Sequence, residues 1–248
     1  MLMNLANPAQ QFWLLGLLIL WALLLFGGFA LGKTNAERTR RMPAWTRIGS
    51  SLALVAAAWS WYLFTLGTAV SALSLCLAIG MTLGCLGDVF LAGALPMPQP
   101  VLGGIAAFGL GHIAYIIGLL LFGNQQHLDA PAPRWVAWLV WLLIGLAAWY
   151  LVVWRGGKHT ILHRAALPYA LLLASTAGVA TGLAWQAPAF IPLAIGAALF
   201  LASDLILAAQ LFNQRHFLLI GDVIWLTYGP AQALIVFSVA SARLVVGS

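Results

Sequence analysis

The sequence predicts an all-α membrane protein, a polytopic bundle of about eight transmembrane helices, and three observations support this fold class. Hydrophobic residues make up 63% of the 248 positions and charged residues only 6%, with a mean hydropathy of +1.01. The apolar runs are long enough to cross a hydrocarbon core of about 30 Å. They are continuous rather than alternating, which excludes a barrel and favours helices that satisfy their own backbone groups.

The apolar runs define the predicted spans. They lie at roughly 13–32, 46–66, 70–94, 101–123, 134–154, 161–184, 189–212 and 217–242. Charged, proline-rich or polar segments separate them, among them Lys33 to Arg41, Pro96 to Pro100 and the Gly-basic turn Arg155 to His159. Because these connections are short, residues 1–248 are predicted to form a single transmembrane domain, with the first span kept as an anchor.

The distribution of Lys and Arg predicts the orientation. If the loop after the first span is cytoplasmic, only Arg134 and Arg243 fall on the other side. The nine on the cytoplasmic side are Lys33, Arg38, Arg40, Arg41, Arg47, Arg155, Lys158, Arg164 and Arg215. The positive-inside rule then places both termini outside the cytoplasm, and we expect the bacterial inner membrane. Topology therefore accounts for the net charge of +6, and no nucleic-acid partner is expected.

Three of the five acidic residues, Asp88, Asp204 and Asp222, fall within predicted spans. A carboxylate at the centre of a membrane helix costs about 2.5–3.5 kcal/mol, so such residues face the bundle interior or water and are functional candidates. The alternative is that a carboxyl only fastens two helices through a hydrogen bond. This alternative applies most to Asp222, which lies close to the end of its span.

Other polar residues share helix faces with these carboxyl groups. In the third span, glycines at 80, 84 and 87 form a stripe beside Asp88, and in the fourth, His112 and Tyr115 lie one turn apart. Later spans contribute Tyr169, Thr176, Ser203, Gln210, Trp225, Tyr228 and Gln232. Because each polar group in a membrane needs a partner, we expect Asp88, His112, Tyr169 and Asp204 to line one cavity in the cytoplasmic half of the bundle.

Two segments also resemble each other within the chain. Residues 83–92 and 199–208 each contain an Asp followed by apolar residues, and they lie four predicted helices apart in the same direction. This spacing suggests a parallel repeat of four helices plus four. The two cysteines, Cys76 and Cys85, are nine residues apart in one span, which fits neither a disulfide nor a metal site, so no metal or cofactor is expected.

Five segments in order resemble the YhhN family of membrane proteins, whose animal members are lysoplasmalogenases. They are Gly87–Leu91, Gly111–Tyr115, Pro168–Leu172, Phe200–Ala208 and Tyr228–Gln232. The sequence departs from the family where Arg47 stands near a Lys-Pro-Leu element of the second helix, and Asp222 matches no family motif. The resemblance covers about residues 80–235 and implies hydrolysis of the vinyl ether bond of a lysophospholipid, giving a fatty aldehyde and a glycerophospho-ethanolamine or -choline.

The resemblance also implies roles for the polar residues. Vinyl ether hydrolysis needs one acid to protonate carbon and one anion to stabilise the cationic intermediate, so two carboxyl groups suit it. Asp88, Asp204 and His112 are the expected catalytic residues. The expected substrate-binding residues are Tyr115, Tyr169, Ser203, Tyr228, Gln232 and Asp222. The expected partners are a lysophospholipid substrate and membrane lipids.

Two other classes of protein remain open from the sequence. A small-molecule or proton-coupled transporter also places Asp and His near the middle of the membrane, and it moves a solute without changing it. A structural membrane protein uses the same Asp residues only as fasteners, in which case Asn serves equally well. The residue pattern alone does not indicate the headgroup, the oligomeric state or which Asp is the acid.

Overall fold

The computed structural model describes residues 7–96, 98–155 and 160–247, and in these ranges the chain is helical with no strand. The helices are α1 (Pro8–Leu31), α2 (Ala44–Phe64), α3 (Ser71–Leu91), α4 (Pro100–Gln125), α5 (Pro131–Trp149), α6 (Ile161–Gln186), α7 (Ile191–Asn213), α8 (Ile220–Val236) and α9 (Ser238–Val246). The predicted all-α bundle is confirmed, and each predicted span corresponds to a helix within a few residues. Met97 of the proline-rich turn and Lys158 and His159 of the basic turn lie outside the described residues.

The ends of the helices follow from local sequence. α1 begins five residues before the predicted start, because the Asn7 side chain accepts a hydrogen bond from the Ala9 amide and Pro8 occupies the first turn. α5 continues through one π-helical turn, Tyr150–Trp154. The last predicted span consists of two consecutive helices, α8 and α9, which together form one apolar segment, Ile220–Val246.

Seven segments of the described chain are long and apolar enough to cross a membrane, and α2 is the long helix that is not among them. α2 nevertheless packs against α1 and α3. Toward α1, the Trp13 indole donates to Ser60 at 2.9 Å, and Gly28 near the other end of α1 lies against Thr46. Toward α3, the Trp59 indole donates to Thr82 at 3.0 Å. α2 therefore occupies the same depth as two membrane helices, and its hydroxyl residues lower its hydropathy.

The outer surface of the bundle is apolar. Large hydrophobic side chains such as Leu31, Phe12 and Leu143 are at least 66% exposed. A water-soluble protein of this size rarely shows so continuous an apolar surface, whereas lipid tails solvate it well. The protein is an integral membrane protein.

Small residues allow the inner helices to approach closely. α3 and α4 are antiparallel, and a Cβ atom on Gly87 would lie only 2.6 Å from the ring of Phe108, so no larger residue fits there. α4 and α6 instead run parallel, since Gly109 faces Tyr169 and Gly123, further along α4, faces Leu183. These contacts bring α3, α4 and α6 together around the polar residues.

Candidate functional site

Asp88 lies in the last turn of α3 and is 4% exposed. Two hydroxyl groups from other helices donate hydrogen bonds to its Oδ2 atom, Ser51 from α2 and Tyr228 from α8, the latter at 3.0 Å. Two donors on a buried carboxyl satisfy an ionised group well. Ser51 had not been predicted as a site residue, because a serine in an apolar helix carries little signal by itself.

A hydrogen-bonded chain continues from Asp88 into the core. The Gln232 amide nitrogen donates to the Tyr228 hydroxyl at 3.1 Å, and the Tyr115 hydroxyl donates to the Gln232 amide oxygen at 3.0 Å. Gly84 makes room for this chain, since a Cβ there would lie 2.7 Å from the Gln232 nitrogen. Tyr115, Tyr228 and Gln232 were predicted to bind substrate, and in the structure their polar atoms bind one another and Asp88.

Asp204 lies in the middle of α7 and is only partly buried. The Tyr169 hydroxyl of α6 donates a hydrogen bond to its Oδ2 atom. Ser203 lies 3.4 Å from Oδ1 but donates its proton to the Phe200 carbonyl at 2.8 Å. Asp204 therefore has one strong hydroxyl donor, where Asp88 has two.

A small apolar cavity of about 70 Å³ lies beside Asp204, between α4, α5, α6 and α7. Its walls include Ile105, Phe108, Trp149, Ala170, Leu173, Leu205, Ala208 and Phe212. Among the lining residues of the described chain, Asp204 is the one acidic residue, and Tyr169 stands next to it on the wall. A shallower apolar groove on the outer face of α4 and α6 shares Ile105 and Tyr169 with this cavity. The cavity thus borders the surface that lipid covers.

His112 lies on α4, one turn beyond Phe108, and is 1% exposed. Its Nδ1 atom is 2.8 Å from the Thr176 hydroxyl of α6, and its ring packs against Phe200, with 4.5 Å between ring centroids. The Nε2 atom is buried and has no hydrogen-bond partner among the described residues. His112 therefore orients neither carboxyl group directly.

The prediction that four residues line one cavity is wrong for two of them. Tyr169 and Asp204 lie on the cavity wall, whereas Asp88 and His112 do not. The cause is an aromatic cluster of Phe108, Phe200 and Tyr228, whose ring centroids are 5.2 to 6.1 Å apart. This cluster packs between the hydrogen-bond network of Asp88 and the cavity, although the two carboxyl groups remain close enough to interact electrostatically.

Asp222 lies outside this arrangement. Its two carboxylate oxygens accept hydrogen bonds from the backbone amides of Arg41 at 2.6 Å and Met42 at 3.0 Å, in the loop between α1 and α2. The backbone amides of Leu219 and Gly221 also donate to the Arg38 and Thr39 carbonyls, so the start of α8 is joined to the same loop. The structure therefore gives Asp222 a fastening contact, and both of its oxygens are already engaged.

Arg47 is a cation that interacts with the site. It lies in the first turn of α2 with its guanidinium 5.4 Å from the Trp225 ring centroid, and it interacts electrostatically with Asp88 and Asp222. Its buried Nε atom has no hydrogen-bond partner in the described part of the chain. Within residues 7–96, 98–155 and 160–247, no group of three His, Cys, Asp or Glu side chains is arranged to hold a metal ion.

Comparison with known proteins assigns the chain to a family. Neither the curated proteins nor the solved structures gave a match. A model of the YhhN family, however, matches residues 42–239, a region that contains Ser51, both intramembrane carboxyl groups, His112 and the Tyr228–Gln232 pair. The match covers most of the chain, and the protein belongs to the YhhN family.

Proposed function

We propose that the protein is a membrane-embedded lysoplasmalogenase, which hydrolyses the vinyl ether bond of a lysophospholipid to a fatty aldehyde and a glycerophospho-ethanolamine or -choline. The observation that supports this most is the apolar cavity with a single carboxylic acid on its wall. Apolar walls are chemically suited to a hydrocarbon chain, and a polar reacting group beside that chain would meet Asp204. Membership of the YhhN family points to the same reaction.

The substrate is proposed to enter from the membrane. A lysophospholipid resides in the bilayer, and the groove between α4 and α6 that shares Ile105 and Tyr169 with the cavity is apolar. A lipid that slides between these helices keeps its chain out of water throughout. This lateral route suits a hydrophobic substrate better than entry from the aqueous phase.

Asp204 is proposed as the acid. A protonated Asp204 delivers its proton to the β-carbon of the vinyl ether, and the α-carbon becomes an oxocarbenium ion. The carboxylate left on Asp204 and the carboxylate of Asp88 stabilise this positive charge. Asp88 is proposed as the anion, because the Ser51 and Tyr228 hydroxyls both donate to it and such donors favour the ionised form of a carboxyl. Water then adds to the α-carbon, and the hemiacetal that forms breaks down to the aldehyde and the free glycerol hydroxyl.

The test is incubation of the purified protein with matched lysophospholipids that differ only in a vinyl ether, alkyl ether or ester linkage, with products identified by mass spectrometry. Release of fatty aldehyde from the vinyl ether alone supports the proposal. Release of fatty acid from the ester indicates an esterase instead. Accumulation of an unmodified solute in proteoliposomes, without any aldehyde, indicates a transporter.

The membrane and the orientation are also proposals. Residues 40, 157 and the C-terminus provide fusion points for topology reporters, and both termini are expected outside the cytoplasm of a bacterial inner membrane. The end of the bundle where α4 and α6 begin then faces the cytoplasm, and the cavity lies toward that side. A cytoplasmic C-terminal reporter would reverse this assignment without affecting the reaction.

A further inference from the structure

His112 and Thr176 lie together one helical turn beyond the residues that line the cavity. On α4 the cavity wall runs through Ile105 and Phe108, and His112 follows one turn further into the bundle. On α6 the wall runs through Tyr169 and Leu173, and Thr176 is the next residue on that face. The two rings of His112 and Tyr169 have centroids 6.4 Å apart, so the pair lies close to the carboxyl that Tyr169 binds.

The hydrogen bonds of Thr176 determine which nitrogen of His112 carries the proton. The Thr176 hydroxyl has one proton, and it donates that proton to the Leu172 carbonyl at 3.1 Å, one turn back along α6. The same hydroxyl oxygen lies 2.8 Å from His112 Nδ1. With its proton already committed, the oxygen accepts from His112, so Nδ1 carries the hydrogen and Nε2 has a free lone pair.

This lone pair is the acceptor that the proposed reaction still lacks. Nε2 is buried without a partner among the described residues, and an acceptor left without a donor in a membrane interior is costly. A neutral imidazole nitrogen accepts an O–H group well and takes up a proton readily. Hydrolysis requires that water lose a proton as it adds to the oxocarbenium carbon. A separate acceptor for that proton leaves the Asp204 carboxylate charged while the cation is still present.

We propose that His112 Nε2 accepts the hydrogen bond and then the proton of the attacking water, and that Thr176 is the positioning residue that fixes its tautomer. This inference rests on the proposed function. The water oxygen forms a bond to the α-carbon while one of its protons moves to Nε2. The resulting imidazolium donates that proton to the glycerol oxygen as the carbon–oxygen bond breaks. The hemiacetal hydroxyl proton passes to the Asp204 carboxylate, and one water has been consumed.

The test compares two threonines on α6. Thr176→Val removes the acceptor for Nδ1, whereas Thr176→Ser keeps it. Thr181→Val makes the same change at a residue whose hydroxyl binds the Trp141 indole at 2.9 Å, away from the cavity. We expect Thr176→Val to lower kcat at least about tenfold with KM nearly unchanged, because general base catalysis contributes about 10²- to 10⁴-fold. Thr176→Ser restores most of kcat, and Thr181→Val retains it.

A spectroscopic measurement tests the tautomer independently of activity. In protein labelled with ¹⁵N-histidine, the resonances that disappear in His112→Phe belong to His112, and they should show a protonated Nδ1 and an unprotonated Nε2. A protonated Nε2 in the neutral imidazole overturns the inference even in an active enzyme. If the wild type releases no aldehyde, the proposed function fails whatever the tautomer.

A substrate analogue distinguishes water from the substrate's own hydroxyl group as the donor. His112→Phe is expected to lower kcat equally for a vinyl ether lysophospholipid and for an analogue without the free glycerol hydroxyl at the second carbon. A loss confined to the hydroxyl-bearing substrate, and seen mainly in KM, shows that Nε2 binds the glycerol hydroxyl and overturns its role with water.

Discussion

The two intramembrane carboxyl groups lie in similar sequences but in different surroundings. Asp88 follows Leu86-Gly87 in α3 and Asp204 follows Ala202-Ser203 in α7, each before an apolar run. Both accept a hydrogen bond from a hydroxyl of the preceding helix, Ser51 for Asp88 and Tyr169 for Asp204. Asp88, however, receives a second donor and is closed off, whereas Asp204 faces the cavity.

The difference between the two carboxyl groups comes from the helices that pack beside them. The partner that closes the Asp88 side is Tyr228 of α8, whose ring also packs on Phe200 at 5.2 Å between centroids. Beside Asp204, no such aromatic residue of the described chain fills the space, and apolar side chains of α4 and α5 form the walls of the cavity. Asp88 is thus enclosed by hydrogen-bond donors, whereas Asp204 faces an open apolar space.

The largest expected loss of activity follows substitution of Asp204, the carboxyl that faces the cavity. Asp204→Asn should lower the rate of aldehyde release by about 10²- to 10⁴-fold, because Asn keeps the shape of Asp but donates no carboxylic proton. The measurement is turnover with the vinyl ether substrate, alongside a thermal unfolding curve to show that the variant is folded. A near-normal rate in folded Asp204→Asn contradicts the acid role.

A smaller loss of activity is expected for substitution of Asp88, the carboxyl enclosed by Ser51 and Tyr228. Asp88→Asn should lower kcat by about 10²-fold, since it removes the charge that stabilises the oxocarbenium ion but not the proton donor. The double variant Asp88→Asn/Asp204→Asn should be less impaired than the product of the two single losses, because residues that act in one step are not additive. If Asp88→Asn lowers kcat more than Asp204→Asn does, the proposed roles of acid and anion are reversed.

The cavity itself can be tested with a matched pair of substitutions on α7. Ala208 lies on the cavity wall, whereas Ala202 is exposed on the outer face of the same helix. Ala208→Phe should raise KM for long-chain substrates by about tenfold or more, as even one methylene in an apolar pocket changes discrimination about 10–200-fold. Ala202→Phe should leave KM unchanged. Equal effects of the two changes would mean that the chain does not occupy the cavity.

The smallest catalytic effect is expected at the third intramembrane carboxyl. Asp222→Asn places an amide group against one of two backbone amides, Arg41 or Met42, and should lower the free energy of unfolding by about 1–3 kcal/mol. The rate per folded molecule should stay close to that of the wild type. A large loss of turnover without a loss of stability would return Asp222 to the substrate-binding residues predicted from the sequence.

The sequence predicts the positions of the helices well, but it does not predict which polar side chains form hydrogen bonds with one another. Hydropathy determines which segments leave water, so the spans and the three costly Asp residues are visible without a structure. Ser51 is not visible as a site residue, and Thr176 is visible only as a polar residue and not as the partner of His112. A hydroxyl in a membrane helix can satisfy itself on its own backbone, and only the packing of another helix gives it a carboxyl or imidazole neighbour. The sequence indicates that another helix approaches closely at Gly87, but it does not identify the Phe108 ring as the group that packs there.

The contact between the α1–α2 loop and Asp222 at the start of α8 joins segments that are synthesised at different times. Arg41 and Met42 donate to a carboxyl about 180 positions later in the chain. At about 5–20 residues per second, a ribosome needs on the order of 10–40 s to reach Asp222 after the first loop has emerged. During that time α1 and α2 are already inserted while the amides of their loop depend on water or on a chaperone. Completion of the bundle thus waits for α8, and truncated chains that end before it keep this loop unfastened.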